Sequence, residues 1–363
     1  MNMLPQKPYH EGITRPDWTR SVNRDERVLW LDKNESVDPH YNRIVTEWVS
    51  EALPQVIYGY PDCSHLYHKL AKMLGVTANN IIFSAGSDGA IRLAYEAFVK
   101  PGDKILYPTP TFAMYAVYAQ IYGAQALAID YQRSTKGPQL DTAQFINLIL
   151  KEKPTLVCLP NPDSPTGATV DLDIIHKIIR AAKEVGAVVL IDEAYYYFYN
   201  ETVLPWIKEE ENLLITRTFS KAWGLAGVRL GFALGSPKLI SILHRLRPMY
   251  EVGTLSVSVA EKALDHVDEM LASVKRILAG KRFFMDALKQ LGFDVIENVQ
   301  GNFMHVAFGQ RADAIHHALE EIVLYRKETP HPSLSGYSRF SATTKELYQP
   351  IVDRIELVLK AGS

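Results

Sequence analysis

The sequence predicts an α/β protein: a doubly wound, mostly parallel sheet between helices, followed by a smaller α+β unit. Three observations carry this. Between about residues 79 and 218, short apolar runs alternate with helix-length amphipathic stretches, the pattern of repeated strand–helix crossovers. The run AVVLI at 187–191 has no polar alternation, as a strand covered on both faces requires. After residue 235 the texture changes to one long helical stretch and then short, scattered strands.

In chain order, residues 1–50 read as an arm and the first pieces of a small domain, rich in charge and proline, with one apolar run, VLWL at 28–31. NNIIFSA (79–85) reads as a strand and DGAIRLAYEAFV (88–99) as a helix with Asp88 in its first turn. KPGD (100–103) is a turn and KILYP (104–108) a second strand. TFAMYAVYAQIYG (111–123) is helical, closed by Gly123. PTLVCLP (154–160) is a strand. DLDIIHKIIRAAKEVG (171–186) is an amphipathic helix whose Ile174, Ile175, Ile178, Ile179 and Ala182 share a face. AVVLIDEA (187–194) and NLLITRT (212–218) are further strands. Residues 256–290 form the long helical stretch; FDVIE, NFMHVAF and SRFSA follow as short strands, and TKELYQPIVDRIELVLK as a closing helix. The expected division is 1–50 (arm and part of a small domain), 51–245 (large domain) and 246–363 (small α+β domain), which suits a chain of 363 residues.

A formal net charge of −2 argues against nucleic-acid and membrane-surface binding, both of which favour a basic excess. The opening MNMLPQKPYHEG lacks an apolar signal core, and no apolar run approaches a membrane span. The two cysteines, Cys63 and Cys158, are far apart and in no metal-type spacing; both read as packing residues in a reducing, cytoplasmic compartment, and no metal site is expected.

Ligands of an open parallel sheet sit beyond the C-terminal strand ends. Past the first strand lies Gly86-Ser87-Asp88, where a helix N-terminus offers N–H groups to an anion. Past 160 comes the polar loop Asn161-Pro162-Asp163-Ser164-Pro165-Thr166-Gly167. Past 191 comes Asp192-Glu193-Ala194-Tyr195, and past 218 comes Ser220-Lys221. Taken singly, these read equally well as a helix start, a turn, a satisfied core carboxylate and a solvated lysine. Jointly they put a phosphate cradle, a carboxylate, a tyrosine and a lysine on one rim. A nucleotide-binding module using GSDGA and GLAGVRLG as phosphate loops is the rival from another class. It lacks G-x-G-x-x-G after the first strand and leaves Lys221 and Asp192 unused.

The combination of Tyr60-Pro61-Asp62, D-E-A-Y (192–195) and S-K-A-x-x-L-A-G-x-R (220–229), in this order and spacing, resembles the fold-type-I pyridoxal-phosphate enzymes and, among them, the histidinol-phosphate aminotransferases. The likeness runs from Asn34-Glu35 to Arg339. It implies the PLP-dependent transferase fold with a seven-stranded-type sheet, pyridoxal 5'-phosphate as cofactor, and a homodimer. Lys221 then corresponds to the lysine that forms the internal Schiff base and later moves the substrate Cα proton. A lysine amine attacks a carbonyl only when unprotonated, which its small apolar flank favours. Asp192 corresponds to the carboxylate that keeps the pyridine nitrogen protonated; at about 4 Å and an effective dielectric near 20 such a pair gives roughly 4 kcal/mol. Tyr195 is implied at the ring's phenolic oxygen, O3′. Ser87, Asp88, Thr218, Ser220 and Arg229 are implied at the phosphate. Phe112 is implied on the ring face, with a core aromatic as its rival reading. Tyr60 is implied at the phosphate site of the neighbouring subunit.

One position departs from the family pattern. Where the family has asparagine before P-T-G, bonding O3′, this chain has Ser164, whose shorter hydroxyl weakens that contact. The resemblance also places Arg339 on the substrate α-carboxylate. Arg326 falls on a phosphate or side-chain carboxylate, or equally in a surface ion pair, and Asn34 and Asn302 line the pocket. The implied activity is transfer of an amino group between an amino acid, glutamate first, and a keto compound such as imidazole-acetol phosphate. The alternatives are a decarboxylase of a phosphorylated amino acid and an aminotransferase of a polymer precursor.

Overall fold

The computed structural model describes residues 7–10, 12–13 and 24–361; the remainder of the expected N-terminal arm lies outside the described residues. The chain order is β1 (Leu29–Trp30), α1 (Pro39–Val56), α2 (Ser64–Leu74), β2 (Ile81–Ser84), α3 (Gly86–Phe98), β3 (Lys104–Thr109), α4 (Met114–Ile121), β4 (Gln125–Asp130), α5 (Thr142–Glu152), β5 (Leu156–Pro160), α6 (Leu172–Glu184), β6 (Val188–Asp192), β7 (Leu213–Thr218), β8 (Gly231–Gly235) and α7 (Pro237–His244). There follow α8 (Thr254–Asp265), α9 (Val267–Gln290), β9 (Asp294–Val295), β10 (Phe303–Ala307), α10 (Ala312–Leu319), β11 (Val323–Leu324), β12 (Ser338–Ser341) and α11 (Lys345–Ala361).

Among the described residues the central sheet has seven strands in the order β2-β8-β7-β6-β5-β3-β4. Strands β3 to β7 pair in parallel, while β8 runs antiparallel to both β7 and β2, so β2 points the same way as the rest. The α/β expectation holds. The strand that read as an unbroken apolar run, β6, is buried at all but its first residue, and β5 and β7 beside it are buried at every position, as helices on both faces demand. Two boundaries shift. The segment expected as one helix from 111 begins only at Met114, leaving Thr111 and Phe112 in the preceding loop. The long stretch 256–290 is two helices broken at His266, whose ψ of 43 leaves the helical range.

The smaller unit is built on the antiparallel sheet β12-β10-β9 and the parallel pair β1-β11, covered by α10, α11 and the end of α9. Its core holds Leu31, Phe284, Met304, Val306, Phe340 and Tyr348. Helix α9 serves both cores: Met270, Val274 and Ile277 pack with the large one, Phe284 and Leu288 with the small one. Tyr41 and Trp48 of α1 also belong to the large core. We propose to draw the division between the two units inside α9, between Ile277 and Phe284.

Candidate active site

Four C-terminal strand ends, of β2, β5, β6 and β7, open onto one cavity of about 460 Å³, closed on the far side by the segment 32–34 and by Arg326 and Arg339 of the smaller unit. Gly86 starts α3 with φ 77, and Ser87 and Asp88 fill its first turn and line the cavity. A Cβ on Gly86 would lie 2.6 Å from Nη2 of Arg229, and one on Gly231 would lie 2.3 Å from the Ser87 nitrogen. Glycine at both places lets the guanidinium and the helix N-terminus face the same space. Arg229, itself at φ 53, also donates to Ser220 Oγ at 3.4 Å. Thr218 and Ser220 are buried beside it, and the Thr218 hydroxyl accepts the Ser220 N–H at 3.0 Å. This is an anion cradle made of a helix start, hydroxyls and a planar cation.

At the end of β6, Asp192 is buried and accepts hydrogen bonds from Thr216 Oγ1 (2.9 Å), Tyr115 Oη (3.0 Å) and the Ala194 N–H (3.2 Å). These donors are neutral. Burial raises its pKa to about 6, with the hydrogen bonds opposing. A buried carboxylate held in this way favours a cationic partner. Lys221 Nζ donates to the carbonyls of Lys33 (2.9 Å) and Asn34 (3.0 Å) and lies 5.8 Å from the centre of the Tyr195 ring. Its turn is tied by Gly224 N–H to Lys221 C=O and anchored by buried Phe219 and Trp223. Tyr195 accepts from Asn34 Nδ2 at 2.8 Å, and Gly301 packs against its ring. Behind it, Lys281 donates to the carbonyls of Val299 and Gly301 and fixes that loop. Phe112 lines the cavity, edge-on to Tyr115.

The cavity therefore gathers Lys221, Asp192, Tyr195, Ser87, Asp88, Phe112, Ser164, Thr218, Ser220, Arg229, Asn34, Arg326 and Arg339. Two expected residues stand elsewhere. Asn302 is buried behind the wall, where its Nδ2 donates to the carbonyl of Asn34 at 3.0 Å: it shapes the segment that lines the cavity. Tyr60 is 79% exposed and stacks on Tyr250 at 4.2 Å, away from the lining of its own chain's cavity. Arg339 is pulled down to about 10 by burial, with Tyr195 and Asp32 opposing; its Nε has no partner, and its Nη2 donates to the Asp32 carbonyl at 2.8 Å. Such a desolvated cation suits an anionic ligand.

Three contributors escaped the sequence reading. Tyr115 and Thr216 hold Asp192; Tyr115 lies one turn from Phe112, and Thr216 points off β7. Asp163, in the Pro/Gly loop, is buried and lines the cavity, and accepts from Thr111 Oγ1 at 2.7 Å. Burial raises Asp163 from 3.8 to about 7. The folded state therefore holds this proton more tightly than the unfolded one, and stability is lost as pH rises through that window. Asp163→Asn keeps an acceptor for Thr111 and removes the penalty. Its unfolding free energy, from denaturant titration at several pH values, should match wild type near pH 4. It should exceed wild type by a margin that grows to pH 7, on the order of a few kcal/mol. A constant difference across that range would contradict this.

The residues present fit the cofactor that the sequence implies. An anion cradle, a buried carboxylate suited to a cationic ring nitrogen, a tyrosine hydroxyl and a lysine amine share one cavity with a partnerless arginine nitrogen.

The family model for "Aminotransferase class I and II" matches residues 26–355. A histidinol-phosphate aminotransferase of Ruminiclostridium cellulolyticum is 31% identical over 341 residues, 92% of this chain and 94% of that protein. The crystal structure of histidinol-phosphate aminotransferase from Sinorhizobium meliloti, in complex with pyridoxal-5'-phosphate, superposes with a TM-score of 0.80 at 21% identity, over 93% of this chain and 92% of that one. The L-threonine-O-3-phosphate decarboxylase from Porphyromonas gingivalis superposes with a TM-score of 0.75 at 20% identity, over 92% of this chain and 100% of that one.

Proposed function

The chain belongs to the class I and II aminotransferases, and from that premise we propose that glutamate is its amino donor and the keto counterpart of histidinol phosphate its acceptor. The enzyme is an aminotransferase that uses pyridoxal 5'-phosphate. When bound, that cofactor supplies an aldehyde and a protonated ring that withdraws electrons from the substrate Cα.

The protein's own groups do the rest. Lys221, whose amine lines the cavity, would hold the cofactor covalently and, once released, move the proton at the substrate Cα. Asp192 would keep the ring nitrogen cationic. The N-terminus of α3, Thr218, Ser220 and Arg229 would hold the phosphate by donated hydrogen bonds. Arg339 would fix the anion beside the reacting carbon, the α-carboxylate of glutamate or the phosphate of the acceptor, so both half-reactions would present that carbon to the same amine.

The observation that carries the donor and acceptor reading is the pairing of Arg339 with Arg326, backbone partners in the lining of the cavity that also holds Lys221. One guanidinium serves the α-carboxylate or its equivalent, and the other a second anion. Glutamate brings two carboxylates, one for each, and the phosphorylated acceptor a single dianionic phosphate that the two guanidinium groups would share. Adding glutamate to the loaded enzyme should shift its visible absorption to shorter wavelength, and the phosphorylated keto acceptor should restore it. Carbon dioxide release with no consumption of a keto acceptor would overturn the reading in favour of a decarboxylase.

We also propose a homodimer. Ile57 (76% exposed), Tyr58 (85%), Tyr60 (79%) and Met249 (78%) are exposed apolar side chains on two stretches of chain that meet where Tyr60 stacks on Tyr250. Exposed apolar surface of this kind supports association, and Tyr60 would reach the neighbouring subunit's phosphate site from it. Tyr60→Ala and Lys221→Ala chains, each crippled alone, should regain activity when unfolded and refolded together. A mixture no more active than its parts would count against a tyrosine acting across the interface. The two cysteines are free, and no helix among the described residues is long and apolar enough to cross a membrane; these features support a cytoplasmic setting.

A further inference from the structure

Asn34 stands in the segment between β1 and α1 at φ 56, a left-handed backbone that asparagine tolerates better than most residues. It is 2% exposed and fixed on several sides. Its N–H donates to Ser341 Oγ at 2.8 Å. Its carbonyl accepts from Asn302 Nδ2 at 3.0 Å and from Lys221 Nζ at 3.0 Å. Its side-chain Oδ1 accepts from Ser341 Oγ at 3.4 Å, which turns the NH₂ group the other way. That group meets two hydroxyls: Tyr195 Oη at 2.8 Å and Ser164 Oγ at 3.3 Å.

An amide N–H can only donate. Each of the two N–H bonds therefore occupies a lone pair on one hydroxyl oxygen and leaves that hydroxyl's own proton directed elsewhere. Both residues line the cavity. We propose that Asn34 is a positioning residue that aims the hydroxyl protons of Tyr195 and Ser164 at the phenolic oxygen of the bound cofactor. Serine at position 164 is then one of two hydroxyls oriented by a single amide from another part of the chain. This inference rests on the cofactor reading above.

Hydrogen bonds donated to a phenolate count most when the adjacent nitrogen, linking Lys221 to the cofactor, carries no proton to share. Taking the oriented donors away should make that proton harder to remove. The charged groups that share the cavity with the cluster are Asp88, Asp163, Asp192, Lys221 and Arg229 around the strand ends, Asp32 and Lys33 from the same segment, and Arg326, Glu328 and Arg339 from the smaller unit. All persist in the variants, so the difference from wild type isolates the amide.

The test is a pH titration of the visible absorption of the loaded enzyme. Asn34→Gly keeps the left-handed backbone and the carbonyl to Lys221 while removing the amide. Its midpoint should lie above that of wild type by about half to one pH unit, the scale of a neutral hydrogen bond. Asn34→Asp, equal in size but an acceptor, should move the midpoint the same way; its added charge contributes to that shift, so if the glycine variant folds poorly the part read is the part lost in the Tyr195→Phe background. In a Tyr195→Phe background the Asn34→Gly shift should shrink, which a merely structural role would not produce. A visible band in wild type whose midpoint is unmoved in both variants, or a shift undiminished without the Tyr195 hydroxyl, overturns the role of Asn34 alone. A wild-type protein that acquires no visible band with pyridoxal phosphate overturns the cofactor reading, and this inference with it.

Discussion

Lys221→Ala abolishes turnover, by at least about 10⁴-fold, while leaving the fold intact. In the proposed function Lys221 has two tasks, covalent attachment and proton transfer at Cα, and alanine performs neither. The scaffold around it is not asked to change. Phe219 and Trp223, on either side, are buried at 0% and 3% exposure, and the turn is closed by backbone hydrogen bonds that alanine keeps. Nζ gives up only its bonds to the carbonyls of Lys33 and Asn34. Thermal unfolding of the cofactor-free variant should therefore follow wild type within a few degrees. Its mixture with pyridoxal phosphate should carry no label after borohydride reduction and peptide mapping, whereas wild type is labelled at position 221. A small primary amine in the buffer should restore part of the proton-transfer rate, because a free base can enter the space the side chain leaves. A variant that keeps more than about a tenth of wild-type turnover would show that another residue carries the chemistry.

The sequence made Lys221, Asp192 and Tyr195 visible because all three follow strands that read cleanly. β6 is an apolar run with no alternation, β5 and β7 open on apolar residues, and in a parallel sheet the residues just past such strands share a rim. Strand β8 was not visible. Its GFALG looks like a continuation of the small, apolar turn before it, and only its pairing with both β2 and β7 makes it a strand. Strand β4 and helix α5 lie in a stretch where the sequence reading assigned no element. β4 is an edge strand with several exposed positions, so its pattern lacks the buried signature of its neighbours. The network behind the rim is hidden for a different reason. Asn34 meets Tyr195 across 161 positions of chain, and Arg339 meets the Asp32 carbonyl across 307. Such contacts arise from the way the smaller unit folds back over the sheet, and no local pattern encodes them. Tyr60 is a third case: its motif is legible, but from its exposed place it would serve the proposed phosphate role only in a second chain.

Asp192→Asn should lower turnover by about 10³-fold while leaving covalent attachment at Lys221 in place. The amide keeps the shape: its oxygen can still accept from Thr216 and the Ala194 N–H, and its NH₂, standing where the second oxygen was, can donate to a Tyr115 hydroxyl turned to accept, so the main loss is of charge. An ion pair worth roughly 4 kcal/mol at an effective dielectric near 20 corresponds to about three decades in rate. The pH dependence separates this role from a structural one. Burial raises Asp192 from 3.8 to about 6, so in the cofactor-free protein the carboxyl is protonated below pH 6 and anionic above it. A cationic ring nitrogen binds the anion and not the neutral acid. Cofactor affinity in wild type should thus strengthen as pH rises from 5 to 7, on account of this group. The same rise should be missing in Asp192→Asn. Other titrating groups, the cofactor phosphate included, act in both proteins and cancel in the comparison. The measurement is the dissociation constant of pyridoxal phosphate at several pH values in Lys221→Ala and in the double variant, so that covalent capture does not mask it. Parallel curves would mean that the carboxylate supports the end of β6 and does not charge the ring. A gap that opens with pH would tie the electron-withdrawing power of the site to one buried acid.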